Sequence, residues 1–425
     1  MKLHFAAVAG LLALGACAFG NAQTSPRVVN GIEWSGRGTW LKADLHTHTK
    51  LSDGGLTVEQ VVAAAAGNGC DVVAITDHAD GGLRAATPDY VDGIRSARSQ
   101  TAGVTVITGL EWNLPPGKGL EHATVLFPGN SEDLSTLAAF KARFDDFTKE
   151  GENPSLALEG LAALTPRDRS SVAPIVIINH PSRRPHSTSA PRLTVDRLKR
   201  AAPSILVGLE GAPGHQQGVP LGSYPADVQL IDRWDPVTAE VGGAWDTWLR
   251  SGLDIWAAIA NSDFHGRGDF LPCEFASTWV YAPDRSVDGV IRALRAGSFF
   301  AEHGHIVTEV ELRAEFDGLN RPFVPGETVA AAAGTRVNVT LKMKVPAQDY
   351  AGHDNRIDAV ELVGISSQET RVLFSGAPGS PEAFHVVVPV PAGGIVLRAR
   401  GRRGSGNEQA LMFYTNPIRI VAPAR

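Results

Sequence analysis

Between about residues 40 and 300, short continuously apolar segments alternate with amphipathic ones, and this alternation restricts the fold more than any other feature. Continuous apolar runs of four to seven residues are typical of strands buried on both faces of a parallel sheet. The strand candidates are Leu41–His46, Asp71–Thr76, Val104–Leu110, Ala123–Phe127, Ile175–Asn179, Ile205–Leu209 and Ile255–Ala260. Strands and helices that alternate over this length predict an α/β barrel or a doubly wound sheet.

Helix signals fill the gaps between these strands. Thr57-Val58-Glu59-Gln60 is a capping box, and Thr87-Pro88 places a cap before a proline at the first helical position. Further helices are predicted at Leu134–Lys149, Thr194–Ala201, Gly243–Leu249 and Val287–Arg295.

The pattern changes after about residue 305, where short alternating segments are separated by Gly and Pro turns. These segments are Val307–Ala314, Arg336–Met343, Ala359–Leu362, Arg371–Phe374, Phe384–Val388, Ile395–Arg400 and Ile418–Val421. They predict a small all-β sandwich. A chain of 425 residues fits one large and one smaller domain, which we expect at 38–303 and 306–425.

The N-terminal residues resemble an export signal. A basic Lys2 precedes the apolar stretch Phe5–Leu14, and Gly20-Asn21-Ala22 resembles a cleavage site, which predicts a signal peptide at 1–22 and a periplasmic or secreted protein. Leu14-Gly15-Ala16-Cys17 resembles a lipobox, so a lipoprotein anchored through Cys17 is the alternative. A buried N-terminal helix is a third interpretation. We expect no transmembrane segment later in the chain.

Two cysteines, Cys70 and Cys273, follow the leader. Cys70 precedes the second predicted strand, and Cys273 lies in a loop beyond the end of the last one. If those strands are parallel, the cysteines lie at opposite ends and too far apart for a disulfide, which needs Cα atoms within about 7 Å. We therefore expect two free thiols.

Ligand-type side chains stand at the C-terminal ends of five predicted strands. They are His46 and His48, His78, Glu111, His180, and Asp263 and His265. In a parallel barrel these ends converge on one rim, where active sites lie. Asp53 in the first loop and His122 join the candidates. His122 precedes its strand, which suits an antiparallel or edge strand.

These nine residues comprise six His, two Asp and one Glu. Neutral imidazole and carboxylate are good ligands for zinc, manganese and iron. A lone histidine at a strand end is more often structural, but the joint placement of so many ligand-type residues at strand ends of one polarity predicts a metal centre. The set is large enough for two to three divalent ions.

Together these segments resemble the successive motifs of the PHP (polymerase and histidinol phosphatase) superfamily. The motifs are Asp44-Leu45-His46-Thr47-His48, Ser52-Asp53-Gly54, Thr76-Asp77-His78, Gly109-Leu110-Glu111, Asn179-His180-Pro181 and Asn261-Ser262-Asp263-Phe264-His265. The resemblance implies a distorted (β/α)7 barrel with a trinuclear metal centre. The leader and the trailing β domain resemble the carbaryl-hydrolase-like branch. No polymerase domain is recognised, which argues against a proofreading role.

The resemblance also implies how the ligands are shared. One ion would be held by His46, His48, Glu111 and Asp263. Glu111 would bridge to a second ion that His122 and His180 complete. A third ion would be held by Asp53, His78 and His265. Asp53, Glu111 and Asp263 are the expected catalytic carboxylates.

The functional hypothesis is phosphoester hydrolysis by a metal-bridging hydroxide. Substrate phosphate would be bound by arginines in the loops after the fifth and seventh strands, namely Arg267, Arg183, Arg184 and Arg192. Glu210 is a candidate substrate or supporting residue. His303 and His305 could be extra site residues, but we expect them at the surface. The net charge of −6 gives no reason to expect a nucleic-acid partner, so the expected partner is a small-molecule phosphate ester.

Two alternatives remain open at this point. The same centre could hydrolyse a carbamate, ester or amide, because the loops carry no recognisable specificity signature. The barrel could also be a metal-stabilised, non-catalytic scaffold for a β domain that binds a partner.

Overall fold

A computed structural model describes most of the chain. The described residues are 25–79, 84–115, 121–130, 133–145, 155–166, 171–183, 194–212, 224, 228, 230–266, 268–380, 382–404 and 410–423.

The first two thirds of the chain combine strands and helices. In chain order these are β1 (Arg27–Asn30), β2 (Thr39–Asp44), α1 (Val58–Gly67), β3 (Val72–Ile75), α2 (Pro88–Gln100), β4 (Thr105–Asn113), β5 (His122–Leu126), α3 (Leu134–Phe144), α4 (Ser155–Ala163), β6 (Ile175–Ile178), α5 (Val195–Ala201), β7 (Leu206–Leu209), α6 (Pro236–Ala239), α7 (Ala244–Arg250), β8 (Ala276–Ala282), α8 (Val287–Ala296) and β9 (Phe299–His303). The predicted helix starts are confirmed. Thr57 and Gln60 form the capping box of α1, and Thr87 caps α2.

The remaining elements are all strands, as predicted. They are β10 (Glu309–Phe316), β11 (Thr328–Ala330), β12 (Arg336–Lys344), β13 (Ala359–Ser366), β14 (Thr370–Gly376), β15 (Phe384–Pro389), β16 (Ile395–Arg403), β17 (Leu411–Thr415) and β18 (Ile418–Val421). Strands β10, β12 and β15 form a small separate sheet, and the other strands join one large sheet of 15 strands.

The large sheet is mixed rather than purely parallel. Strands β2, β3 and β4 are parallel, β5 is antiparallel to both its neighbours, and β6 and β7 are parallel again. Strand β8 runs antiparallel to β2. The α/β class is therefore confirmed, and the closed seven-stranded barrel stays a prediction.

The seventh predicted strand, Ile255–Ala260, is wrong as a regular strand. This segment lies beside β7 through two isolated parallel bridges, Gly208 with Trp256 and Ala212 with Ala260. The amides of Gly211 and Ala212 both donate to the carbonyl of Ile259, at 2.8 and 3.0 Å, which breaks the regular ladder. The segment continues to Phe264, whose carbonyl accepts a hydrogen bond from His48 N, so its polar end still reaches the end of β2.

One continuous sheet contains strands from both sides of the expected domain boundary near residues 303 to 306. Strand β9 pairs with β8 on one side and with β17 on the other. A hydrophobic core between the two sheets includes Phe300 from β9 together with Leu312, Leu341 and Leu397. The division at 303 and 306 stays a prediction.

The prediction of two free thiols is wrong, because Cys70 and Cys273 form a disulfide with a Cα–Cα distance of 5.8 Å. Strand β3 is staggered along β2, so that Val72 lies opposite Ala43. The antiparallel strand β8 places Thr278 beside the same Ala43. Both cysteines precede their strands at this level, whereas the sequence argument placed Cys273 at the far end of a parallel strand.

We expect loss of this disulfide to destabilise the fold by about 2–5 kcal/mol, since it closes a loop of about 200 residues in the unfolded chain. A Cys70→Ala/Cys273→Ala variant and the oxidised wild type would be compared by urea unfolding. Peptide mapping without reduction should recover the linked peptides from the wild type alone. Free energies of unfolding that agree within about 0.5 kcal/mol would contradict this expectation.

Among the described helices, none is both long enough and apolar enough to cross a membrane.

Candidate metal centre

The structure brings all nine predicted ligands together at one end of the large sheet. His46 and His48 follow β2, His78 follows β3, and Glu111 lies within β4. His122 begins β5, which is antiparallel to β4 and β6, as its position before the strand predicted. The other ligands are His180 after β6, Asp53 in the first loop, and Asp263 and His265 beyond the irregular segment beside β7.

Glu111 is the centre of the cluster, and its two oxygens face different histidines. The shortest contacts are 3.0 Å from Oε1 to His122 Nδ1, 3.3 Å from Oε1 to His46 Nε2, 3.4 Å from Oε1 to His180 Nε2, 3.1 Å from Oε2 to His48 Nε2 and 3.2 Å from Oε2 to His78 Nδ1. One buried carboxylate therefore joins five imidazoles.

Two aspartates complete the cluster. Asp263 Oδ1 lies 3.3 Å from both His46 Nε2 and His48 Nε2. Asp53 Oδ1 lies 3.2 Å from His48 Nδ1, and its Oδ2 lies 3.3 Å from His265 Nε2 and 3.6 Å from His78 Nε2. Asp53 is 44% exposed and Asp263 only 1%, so the cluster opens to solvent on the Asp53 side.

Three overlapping groups have the composition and spacing to hold an ion. They are His48, Asp53, His78 and His265; His46, His48 and Glu111; and His78, Glu111 and His122. Within each group, one ligand atom per residue lies within 4.8 Å of all the others. The grouping differs from the resemblance-based assignment. His48 also joins the Asp53 group, His78 also joins the His122 group, and neither Asp263 nor His180 belongs to any of the three groups.

The donor atoms fit a metal ion better than a simple hydrogen-bond network. Ligands about 2.1 Å from a tetrahedral ion lie about 3.4 Å apart, which is close to the contacts of Glu111. His46 Nε2 and His48 Nε2 are 3.0 Å apart, although both face carboxylates. Among the residues that the structure describes, buried His78 Nδ1 and His180 Nε2 have no hydrogen-bond partner. Such nitrogens, aimed at a shared carboxylate, are suited to a cation between them.

Protonation also favours cation binding. Burial alone would raise the pKa of Glu111, but His122 and His78 outweigh burial and hold that pKa well below its usual range. Burial lowers the pKa of His78 to about 4. Burial, together with the charge of Arg183, also lowers the pKa of His180 to about 4. At neutral pH the carboxylate is thus ionised and these two imidazoles are neutral, which is the form that binds metals.

His46 behaves differently. Burial alone would lower the pKa of His46, but Asp263 and Glu111 hold it well above the usual value. A metal ion held by this imidazole would therefore displace a proton.

Two of the ligands adopt backbone conformations that non-glycine residues rarely take. His180 has φ 29° and Asp263 has φ 48°. Each follows an extended segment and turns its side chain toward Glu111 or His46. Strained positions of this kind persist where the surrounding structure fixes them, and they cluster at functional sites.

The sequence analysis quoted Asp44, Asp77 and Asn179 within the motifs but gave them no role. Asn179 Nδ2 donates to Glu111 Oε1 at 2.8 Å. Asp77 accepts from the amide and hydroxyl of Thr49, which shape the first loop. Asp44 accepts from the amides of His46, Ser262 and Cys273. In the sequence, each is a polar residue that stands one or two positions before a predicted ligand, next to an apolar strand.

Gly54 lets the first loop fold back onto the ligand segment. A Cβ atom at this position would lie 2.5 Å from the backbone carbonyl group of His48. The amide of Gly54 donates to the carbonyl of Thr49 at 2.8 Å. Only glycine fits this approach, which brings the neighbouring Asp53 to the cluster.

Of the predicted substrate residues, Arg184, Arg192 and Arg267 lie outside the described residues. Arg183 is 11% exposed, and its Nη2 donates to Asp263 Oδ2 at 2.5 Å. Within the described part of the chain, its buried Nε makes no hydrogen bond. Glu210 is completely buried behind His46, with Oε1 at 2.8 Å from His46 Nδ1, a position that favours a supporting role.

The surface position expected for His303 is wrong, because this side chain is fully buried. Its Nε2 donates to the carbonyl of Asp232 at 2.7 Å, and Nδ1 accepts from the amide of Met412 at 3.2 Å. Strand β9 is internal to the sheet, so alternate residues on both of its faces are covered. His303 is therefore a structural residue, and His305 is half-buried beside it.

Comparison with known proteins identifies part of this arrangement. Residues 44–167 match the PHP domain. The DNA polymerase III polC-type proteins of two Streptococcus pyogenes serotype M3 strains, MGAS315 and SSI-1, are each 30% identical over 164 residues. The match covers 32% of this chain and 11% of each polymerase, so the chain spans about a tenth of the length of these relatives.

Two solved structures are similar in outline. One is a two-domain protein from Bacteroides vulgatus containing a predicted PHP-like metal-dependent phosphoesterase, with 16% identity, a TM-score of 0.43, and coverage of 89% of this chain and 94% of that one. The other, from Bifidobacterium adolescentis, is provisionally named a metal-dependent phosphoesterase, with 18% identity, a TM-score of 0.30, and coverage of 54% and 90%.

The matched segment contains His46, His48, Asp53, His78, Glu111 and His122, whereas His180, Asp263 and His265 follow it. Residues 44–167 are therefore similar to the PHP domain, and they contain six of the nine metal ligands predicted in this chain.

Proposed function

We propose that this protein is a metal-dependent hydrolase of the PHP superfamily and that it cleaves phosphomono- or phosphodiesters. The observation that supports this most is the position of Glu111, whose two oxygens each face separate histidines within overlapping ligand groups. A shared carboxylate of this kind suits a centre of two or three neighbouring ions.

Zinc, manganese or iron held by these nine residues would supply Lewis acidity and neutralise negative charge on a phosphoryl group. Asp263 Oδ1 and Glu111 would be ligands, while Asp263 Oδ2 is already occupied by Arg183. Asp53 and His265 are the more exposed ligands, at 44% and 27%, and they mark the side from which substrate would enter.

Of the four predicted arginines, Arg183 is the one within the described residues, and it is placed to orient an anionic substrate. Its guanidinium is held by Asp263, and its permanent charge lies beside the cluster. A fixed, mostly buried cation favours binding of a phosphoryl group over an uncharged carbonyl compound, because only the phosphoryl group is already an anion when the substrate binds.

Several finer assignments belong to the same proposal. They are the carbaryl-hydrolase-like branch, the trinuclear centre and the division into a barrel and a β-sandwich domain. Export through residues 1–22 is also proposed, with a lipid anchor at Cys17 as the alternative. These residues lie outside the part of the chain that the structure describes.

A substrate panel tests the proposal. Protein loaded with Zn²⁺ or Mn²⁺ would be assayed with 4-nitrophenyl phosphate, bis(4-nitrophenyl) phosphate, 4-nitrophenyl acetate and an aryl N-methylcarbamate. We expect kcat/KM for at least one phosphorus ester to exceed that for both carbonyl substrates by about 100-fold. The reverse preference would replace phosphoester hydrolysis by carbonyl hydrolysis. No turnover of any substrate by protein with bound metal would favour the non-catalytic scaffold.

A further inference from the structure

Glu210 lies immediately after β7 and is completely buried. Its Oε1 lies 2.8 Å from His46 Nδ1 and 2.9 Å from Asn261 Nδ2. Its Oε2 accepts from the backbone amide of His180 at 2.9 Å. One carboxylate thus contacts the side chain of one predicted ligand and the backbone of another.

The neighbours of Glu210 determine which atoms donate. Asn261 Oδ1 accepts from the amide of Leu45 at 2.9 Å, so the other end of this side chain, Nδ2, faces Glu210. The amide of His180 is always a donor. Both oxygens of Glu210 therefore receive N–H groups, and the carboxylate is an acceptor toward His46 as well, which places a proton on His46 Nδ1.

We propose that Glu210 is a positioning residue that keeps the proton of His46 on Nδ1 and thereby leaves Nε2 for the ion. The same carboxylate holds the amide of His180, whose backbone has the unusual φ of 29°. His46 Nε2 lies 3.3 Å from both Glu111 Oε1 and Asp263 Oδ1, where an ion would be shared. Glu210 thus supports two ligands without contacting the reacting atoms. This role rests on the proposed metal centre.

A Glu210→Gln variant tests the role because it keeps the size of the side chain, removes its negative charge and replaces one acceptor oxygen by an N–H donor. If the amide group faces His46, Nδ1 must accept and Nε2 must carry the proton, which removes the ligand. If the amide group faces His180, two N–H donors oppose each other. We expect zinc affinity to fall by about 10–100-fold, with a similar fall in kcat and a smaller change in KM.

Zinc affinity would be measured by competition with a chromophoric chelator, with Glu315→Gln, an exposed residue of β10, as the matched control. The second readout is the ring ¹⁵N spectrum of zinc-loaded, histidine-labelled protein, with His46 assigned from its loss in a His46→Ala variant. The wild type should show His46 protonated at Nδ1 and bound through Nε2, and Glu210→Asp should retain this pattern. The wild-type spectrum does not depend on Glu210→Gln, so it tests the tautomer even if that variant fails to fold.

The outcomes separate this role from the proposed function. Wild-type zinc affinity in Glu210→Gln, or a His46 bound through Nδ1, would overturn the role of Glu210 and leave the metal centre intact. Failure of the wild type to bind zinc, manganese or iron would overturn both proposals.

Discussion

Replacing Asp263 by alanine is expected to lower turnover of the metal-loaded protein by about a thousandfold or more. Its Oδ1 lies 3.3 Å from both His46 Nε2 and His48 Nε2, so it is the carboxylate that an ion at these histidines would share. Changes outside the ligand shell alone typically cost 10–100-fold, and loss of a ligand removes more. The variant also releases Arg183 from its partner, at the position where an anionic substrate would be oriented.

Steady-state assays on the best substrate of the panel would measure this loss, together with metal content. Asp317→Ala, in the exposed turn after β10, is the matched control and should retain wild-type turnover. Turnover of Asp263→Ala within about tenfold of the wild type would remove this cluster as the active site.

Replacing Arg398 by methionine is expected to lower the free energy of unfolding by about 3–5 kcal/mol. Arg398 of β16 and Asp246 of α7 are both fully buried and form two hydrogen bonds, of 2.8 and 3.0 Å. The guanidinium also lies 4.9 Å from the ring of Trp245. Methionine fills much of the space but leaves the carboxylate of Asp246 buried without its cation.

Urea unfolding would measure the change. Arg402→Met, four residues along the same strand and exposed, should alter stability by less than about 0.5 kcal/mol. An Arg398→Met/Asp246→Leu double variant should recover most of the loss, because it removes both buried charges. A loss of under about 1 kcal/mol in the single variant would show that this ion pair does not fix α7 to the C-terminal strands.

The strands beside the site could be predicted because they are continuously apolar and bounded by clear helix signals. The segment 255–260 has the same apolar composition, yet it makes only isolated bridges, since two successive amides share the carbonyl of Ile259. Such a change of register depends on the neighbouring segment around β7 and cannot be recognised from the local sequence. The disulfide was missed for a related reason, because the stagger of β3 along β2 brings Cys70 level with Cys273.

Most of the ligands could be predicted because they lie near or just beyond the ends of apolar segments, and the antiparallel course of β5 explains why His122 stands at the start of a strand. Their supporting shell was harder to predict. Glu210 follows β7 as expected, but only the structure shows that its oxygens face His46 and His180. The left-handed backbone at His180 and Asp263 likewise depends on contacts between distant segments. The pattern of apolar segments therefore predicted where the metal ligands lie in the chain, and tertiary packing determined how their side chains are oriented.

Metal content per chain tests the central claim most directly. It would be measured by inductively coupled plasma mass spectrometry on protein purified without chelators and on protein loaded with zinc or manganese. We expect about two to three equivalents in the wild type and a loss of at least about one equivalent in His46→Ala. Less than about half an equivalent in the wild type, with none gained on loading, would contradict a metal centre at these nine residues.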